Sequence, residues 1–288
     1  MKGRIVKGIG GFYYTDTGSD IFECKARGVF RKNGITPLVG DWCEIDIVDA
    51  EKKTGNITQI LPRKSALIRP AAANADQAVM IFAVKKPVIS TGLLDRFLIN
   101  MEMQNLETVI VFSKTDYGEP EELEAVYRNA GYKVMGISNV TGEGIEELKE
   151  VLKGKTSVLS GPSGVGKSSL INSLLGSSYA ETGELSEKIG RGKNTTRHTE
   201  LIRLEEDTYI MDTPGYSSIE VLCREEDEVE GYFREFRPFL GTCRFTGCRH
   251  LSEPDCSVKE AVSEGTVSQG RYESYKQIIS DIMGKKKY

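Results

Sequence analysis

Gly161, Pro162, Ser163, Gly164, Val165, Gly166, Lys167 and Ser168 spell G-x-x-x-x-G-K-S, and Ser169 follows directly. Glycines at these places let backbone N–H groups close around phosphate. Lys167 is then expected to reach the β- and γ-phosphates, and the Ser168 hydroxyl to hold Mg²⁺. The short run 157–160 before the motif reads as a strand and 168–175 after it as a helix, so the anion would meet a helix N-terminus. Further on, Asp212-Thr-Pro-Gly215 follows the apolar run Tyr209–Met211. An Asp at a strand end suits a second Mg²⁺ contact, and the Gly215 N–H suits the γ-phosphate. The intervening stretch 190–198 is glycine-rich, basic and poor in apolar residues, which reads as a switch loop with Thr195 or Thr196 on Mg²⁺.

A second set of residues would choose the base. Ser113, Lys114, Thr115 and Asp116 follow the strand-like run Thr108–Phe112. They match the guanine-reading pattern N-K-x-D except that Ser113 stands in place of Asn. The Asp of that pattern accepts from guanine N1–H and N2–H₂, a pair of donors that adenine lacks. A buried acceptor left unpaired by the wrong base makes such a site selective. Ser138 and Asn139, after the run Lys133–Ile137, are similar to the further base-contacting loop. The order is unusual, because both base motifs precede the phosphate loop. Ordinary GTPases run the other way, so this is a circular permutation of the same sheet, which keeps the site and moves the chain ends. It also places the segment after Gly215 directly before the C-terminal part of the chain, where nucleotide state could be relayed.

Cys243, Cys248, His250 and Cys256 offer three thiolates and an imidazole within 14 residues. Cys₃His is a normal tetrahedral set for one structural Zn²⁺. Cys24, Cys43 and Cys223 lack such neighbours and read as buried or incidental thiols.

These residues need elements to hold them. Residues 1–68 alternate in short runs (4–9, 21–24, 42–48 and 56–61) separated by Gly, Asn and Asp, as a small β-barrel does; an OB-like barrel is one option. Residues 69–220 alternate short apolar runs with the helical stretches 93–103, 121–130 and 145–152, which implies a parallel sheet covered by helices. Residues 221–288 carry the Cys/His cluster and end in a helical pattern at 272–283. A small domain of that kind commonly needs a metal staple.

Across 288 residues, 38 Lys and Arg against 42 Asp and Glu leave a net charge of −4, which argues against coating nucleic acid by bulk charge. The sign varies along the chain: +3 over 1–68, −6 over 69–220 and −1 over 221–288, with +3 around the Cys/His cluster at 231–250. The acidic excess belongs to the central part, and the flanking parts keep local positive charge suited to phosphate backbones. The longest apolar run, Ala78–Val84, is seven residues, against roughly 20 needed to span a bilayer. No signal peptide is read, and sparse cysteines point to a reducing cytoplasm.

Barrel, permuted GTPase and Cys₃His tail together resemble the RsgA (YjeQ/YloQ) family of bacterial ribosome-associated GTPases. The resemblance covers essentially the whole chain. It rests also on Gly40-Asp-Trp42, Leu94-Asp-Arg-Phe97 and Gly190-Arg-Gly192 with Thr195-Thr196. It implies an OB-fold, a permuted GTPase domain and a mainly helical zinc domain. It further implies a GTPase that binds the small (30S) ribosomal subunit late in assembly, is stimulated by it, and meets rRNA through its barrel and zinc domain. A monomer is expected. Ras-like enzymes place a water-orienting Gln just after D-x-x-G; here Tyr216 occupies that place, so slow intrinsic hydrolysis is expected. The family usually has His before the Thr-Thr pair, and this chain has Asn194, which can orient water but is no useful base at neutral pH. His198 lies close by in sequence and reads most simply as a loop residue. Two other readings remain open from the residues: an RNA-binding factor that only senses GTP and GDP, and a P-loop ATPase, which Lys114 and Asp116 disfavour.

Overall fold

A computed structural model describes every residue except 33, 177–197, 217 and 286–288. Five strands open the chain: β1 (Lys2–Ile9), β2 (Phe12–Asp16), β3 (Ile21–Ala26), β4 (Trp42–Asp49) and β5 (Thr54–Ile60), with the short helix α1 (Gly28–Lys32) after β3. They run in the order β1-β2-β3-β5-β4, and a β1–β4 pairing closes them into a barrel. Inward positions carry Ile5, Cys24, Cys43, Ile45 and Ile57, all essentially buried, so the period-2 pattern fills the barrel with its own side chains. β2 is the one barrel strand absent from the sequence reading. Phe-Tyr-Tyr-Thr-Asp shows no apolar–polar alternation, and its three aromatics are only half-buried.

A two-strand hairpin, β6 (Ala66–Leu67) with β7 (Ala72–Ala73), leads into the central sheet. There β8 (Gln77–Ala83), β9 (Glu107–Ser113), β10 (Lys133–Ile137), β11 (Thr156–Ser160), β12 (Glu200–Glu205) and β13 (Thr208–Asp212) lie in the order β10-β9-β8-β11-β13-β12. The first five are parallel and β12 is antiparallel, a departure from an all-parallel sheet that a β12–β13 hairpin produces. Every residue of β8 is buried because both faces are covered. On one face, α2 (Thr91–Met103) and α3 (Glu121–Asn129) pack Leu94, Phe97 and Tyr127 against Met80 and Phe82. On the other, α4 (Ile145–Leu152) and α5 (Lys167–Leu175) pack Leu148 and Leu170 against Val79 and Ile81.

The barrel is joined to this sheet through strand β1, which pairs with β12 at Lys7 and Glu200, giving one eleven-stranded sheet. Buried Arg4 donates to Thr156 Oγ1 (2.9 Å), with its guanidinium 4.5 Å from the Tyr209 ring and 5.3 Å from the Trp42 ring. Gly40, at φ +92°, has no room for a Cβ, which would lie 2.1 Å from Ala73 O and 2.4 Å from Met211 Cε. Asp41 of the same Gly-Asp-Trp turn is fully buried and held by Arg63 through Nε and Nη2 at 2.7 Å each.

The C-terminal part begins with 3₁₀ turns at Val229–Tyr232 and Arg234–Phe239 and ends in α6 (Ser257–Ser263) and α7 (Gln269–Lys285). Phe233, Phe236, Val258 and Tyr275 form its core, and Ile99 of α2 inserts into it.

Candidate functional site

The phosphate loop runs from the end of β11 into the first turn of α5, the strand–loop–helix setting its sequence requires. Gly161 lies against the carboxyl end of β8; at φ +152° a Cβ there would sit 2.1 Å from Ile81 O. The glycine is thus demanded by backbone contact as well as by loop curvature. Lys167 is nearly buried and its ammonium donates to Gly161 O (2.9 Å) and Pro162 O (3.2 Å), which aims it into the loop. Burial lowers its pKa, and nearby Asp212 partly offsets this. Ser163, Gly164, Ser168 and Ser169 are exposed, while Val165 anchors the loop in the core.

Asp212 ends β13, next to β11 in the sheet, and is buried. Thr213 Oγ1 donates to Leu159 O (2.7 Å), and the Tyr216 N–H donates to Gly161 O (3.3 Å), so the Asp-Thr-Pro-Gly segment is tied to the phosphate loop. A Cβ on Gly215 would lie 3.0 Å from Ser163 Cα and N and 3.3 Å from Lys167 Nζ. The sequence's second phosphate-side motif therefore rests directly on the first. Tyr216 turns its ring onto Phe97 of α2, with centroids 5.7 Å apart in an edge-on arrangement. Asn194, Thr195 and Thr196 lie outside the described residues; His198 is within them and exposed.

The base motifs meet the same loop from the other side. Ser113 is fully buried and donates to Val165 O (2.6 Å), so the hydroxyl that replaces the expected amide still pins its strand to the phosphate loop. Lys114, in the left-handed region at φ +65°, donates to Gly164 O (2.9 Å) and Lys86 O (2.5 Å). Thr115 and Asp116 follow in a 3₁₀ turn, where Asp116 is exposed. Buried Ser138 donates to Asp116 Oδ1 (2.8 Å) and accepts from Val140 N and Thr141 N (3.2 Å each). Asn139 lies beside Gly166 O, with Nδ2 at 3.5 Å, and accepts from Ser173 of α5 (3.4 Å). Between them is an open cleft of about 490 Å³, large enough for a nucleobase and sugar, whose floor includes Gly166 and Ser169. Its rim adds Lys85, Lys86, Tyr117 and Val140. The sequence reading missed these four; the only signal was that Lys85 and Lys86 directly follow a buried strand, at the carboxyl edge where ligands of such sheets bind.

Away from this cleft, the ligand atoms of Cys243, Cys248, His250 and Cys256 all lie within 4.8 Å of one another. His250 Nδ1 is 3.2 Å from Cys256 Sγ and 3.6 Å from Cys243 Sγ, and the two sulfurs are 3.9 Å apart. Those separations fit donors on one tetrahedral ion, since metal–sulfur and metal–nitrogen bonds run to roughly 2.3 and 2.0 Å. The set could hold a metal ion. Outer contacts orient it: Glu230 Oε2 lies 2.9 Å from His250 Nε2, and the Tyr272 hydroxyl donates to His250 O (2.7 Å). Glu230 and Tyr272 carried no spacing signal.

Among known proteins, residues 60–222 match the RsgA GTPase family and residues 2–57 the RsgA N-terminal domain. The chain is 50% identical to the small ribosomal subunit biogenesis GTPase RsgA of Agathobacter rectalis, with both chains covered in full. It is 48% identical to the protein of that name from Alkaliphilus metalliredigens, covering all of this chain and 99% of the other. Its fold is similar to the crystal structure of YloQ, a circularly permuted GTPase (TM-score 0.75, 36% identity, 99% of this chain and 95% of that one). It is equally similar to YjeQ from Thermotoga maritima (TM-score 0.75, 35% identity, 98% of each chain). With base motifs and phosphate loop converging on one cleft in permuted order, this chain belongs to the RsgA family of circularly permuted GTPases.

Proposed function

We propose that this protein hydrolyses GTP while bound to the small ribosomal subunit and assists the subunit's late maturation, with nucleotide state controlling binding and release. The observation that carries the reading is the convergence of Ser113, Lys114 and Asp116 with the phosphate loop on one cleft. In this reading Asp116, oriented by Ser138, takes the guanine edge, with Asn139 beside it. Residues 161–169 cradle the phosphates, and Lys167 neutralises charge on the β- and γ-groups. Ser168, Asp212 and one of Thr195 and Thr196 hold Mg²⁺, which supplies charge stabilisation when bound. Gly215 meets the γ-phosphate, and Asn194 orients water.

The same reading divides the chain into an OB-fold domain (1–68), a GTPase domain (69–220) and a zinc domain (221–288). One structural Zn²⁺ sits on Cys243, Cys248, His250 and Cys256. Barrel and zinc domain meet rRNA with their local positive charge, and the protein acts in the cytoplasm as a monomer. No helix among the described residues is long and apolar enough to cross a membrane.

Turnover of GTP and of ATP, each with and without purified small subunits, tests this reading. GTP turnover that rises with subunits is expected. Strong ATP preference would sink the guanine assignment, and no stimulation would sink the ribosomal one. The packing of Tyr216 on Phe97, away from the water-orienting role of a Gln, also suits a nucleotide sensor without useful turnover. Subunit binding that depends on GTP with turnover indistinguishable from buffer would establish that alternative.

A further inference from the structure

Helix α2 contains the Leu94-Asp-Arg-Phe97 motif, and no role in the cleft absorbs it. Its side chains divide into two sets. Asp95, Ile99 and Glu102, at helical spacing, face the C-terminal domain. Asp95 Oδ1 accepts from Arg271 Nη1 of α7 (2.6 Å) and from the Tyr127 hydroxyl (2.8 Å). The other edge of Arg271 donates to Glu235 Oε1 and Oε2 (2.6 and 3.1 Å). Arg271 and Asp95 are both essentially buried. Glu102 accepts from Arg234 (2.6 Å) and Arg237 (2.7 Å) of the 3₁₀ turn, and Arg96 pairs with Asp281 of α7. The second set grips the chain just after Asp-Thr-Pro-Gly. Phe97 meets the Tyr216 ring, and Asn100 donates to Glu220 O (2.9 Å) while accepting from Leu222 N (2.8 Å).

The structure assigns to α2 the role of transmitting element between the γ-phosphate-facing segment and the C-terminal domain, with Phe97 and Asn100 as positioning residues for Gly215. Covalent continuity after Gly215 could carry a displacement only along the chain. α2 carries it sideways, because one rigid helix holds Tyr216, Glu220 and Leu222 with one set of side chains and α7 with the other. A buried Arg–Asp pair is a weak adhesive compared with apolar packing, but it fixes a single register between two elements. That is the property a transmitting contact needs.

The inference adds to the proposed function a route by which a partner docked on the C-terminal domain acts on hydrolysis, and its subunit arm rests on that reading. The decisive test does not. Amide hydrogen exchange over residues 269–283 is compared in the full-length protein with GDP and with a non-hydrolysable GTP analogue. Wild type is expected to show about a threefold difference between the two states. Asp95→Asn, which weakens the register pair with Arg271 and leaves the covalent connection intact, is expected to abolish it, and Arg96→Ala, which removes only the half-exposed pair with Asp281, to reduce it. No difference in wild type, or a difference that persists in full in both variants, overturns the inference. In the second arm, Asp95→Asn keeps GTP affinity but loses subunit stimulation by about fivefold or more. Unstimulated wild type would refute the ribosomal reading, and the exchange result would then decide the inference alone. Full stimulation of the variant over a stimulated wild type overturns the inference.

Discussion

Replacing Ser138 with Ala isolates the orientation of Asp116, the carboxylate proposed to read the base. Ser138 Oγ donates to Asp116 Oδ1 at 2.8 Å and is itself buried. A hydrogen bond to an ionised group contributes roughly 1.5–3 kcal/mol. Asp116 is exposed, which places the loss at the lower end, near 1.5 kcal/mol. The Val140 and Thr141 N–H groups also lose their acceptor, but both lie on an exposed loop and regain water, so they add little. A loss of about 1.5 kcal/mol corresponds to roughly tenfold weaker binding. Ser138→Ala should therefore bind GDP about tenfold more weakly in a fluorescent-nucleotide titration, while any residual ATP binding is unchanged. Asp116→Asn serves as the companion, and it should shift preference toward xanthine nucleotides. GDP affinity within about twofold of wild type for Ser138→Ala would refute the reasoning, because Asp116 would then need no support to read the base.

Three further outcomes follow from the geometry. Burial lowers the Lys167 pKa from its ordinary value of 10.5, so between the lowered folded value and 10.5 the unfolded chain binds more protons. Stability without nucleotide should then rise with pH through that window. Lys167→Met should flatten the slope and melt higher at neutral pH in thermal denaturation, while nucleotide binding collapses. Gly40→Ala places a Cβ 2.1 Å from Ala73 O at φ +92°, and should cost about 2–4 kcal/mol in denaturant unfolding of the whole chain. Chelation, or Cys256→Ser, should remove one zinc per chain by elemental analysis and lower the melting temperature of the C-terminal domain. It should leave GDP affinity intact, since the nucleotide cleft contains none of these residues.

How much of this was legible in the residues depends on the range of the interaction. The phosphate loop is a local constraint, since its glycines, lysine and serine must be contiguous to work. Strands β8 and β9 were legible because burial on both faces demands apolar runs, and β11 because it leads directly into the phosphate loop. Strand β12 was not, since Glu-Leu-Ile-Arg-Leu-Glu fits a helix period as well as a strand and only its pairing with β13 decides. Ser113 read only as a departure from the guanine-reading pattern, because its acceptor, Val165 O, lies 52 residues away and is set by the fold. Arg271 and Asp95 are separated by 176 residues, and nothing in the periodicity of either helix marks one as the other's partner.

The β1–β12 pairing has a consequence for how this chain could be re-engineered or recombined. Lys7 stands opposite Glu200, Glu200 opposite Asp212, and Asp212 opposite Leu159, so one row of backbone runs from the barrel to the end of β13 beside the phosphate loop. The N-terminal barrel is consequently no detachable cartridge. Cutting it away would strip a neighbour from β12 and leave an open sheet edge, a template for aggregation. A barrel transplanted from a relative would have to bring its own counterparts of Arg4 and Gly40 to match Thr156 and Met211. A barrel exchanged on its own would therefore have to match the nucleotide-binding sheet at each of these contacts.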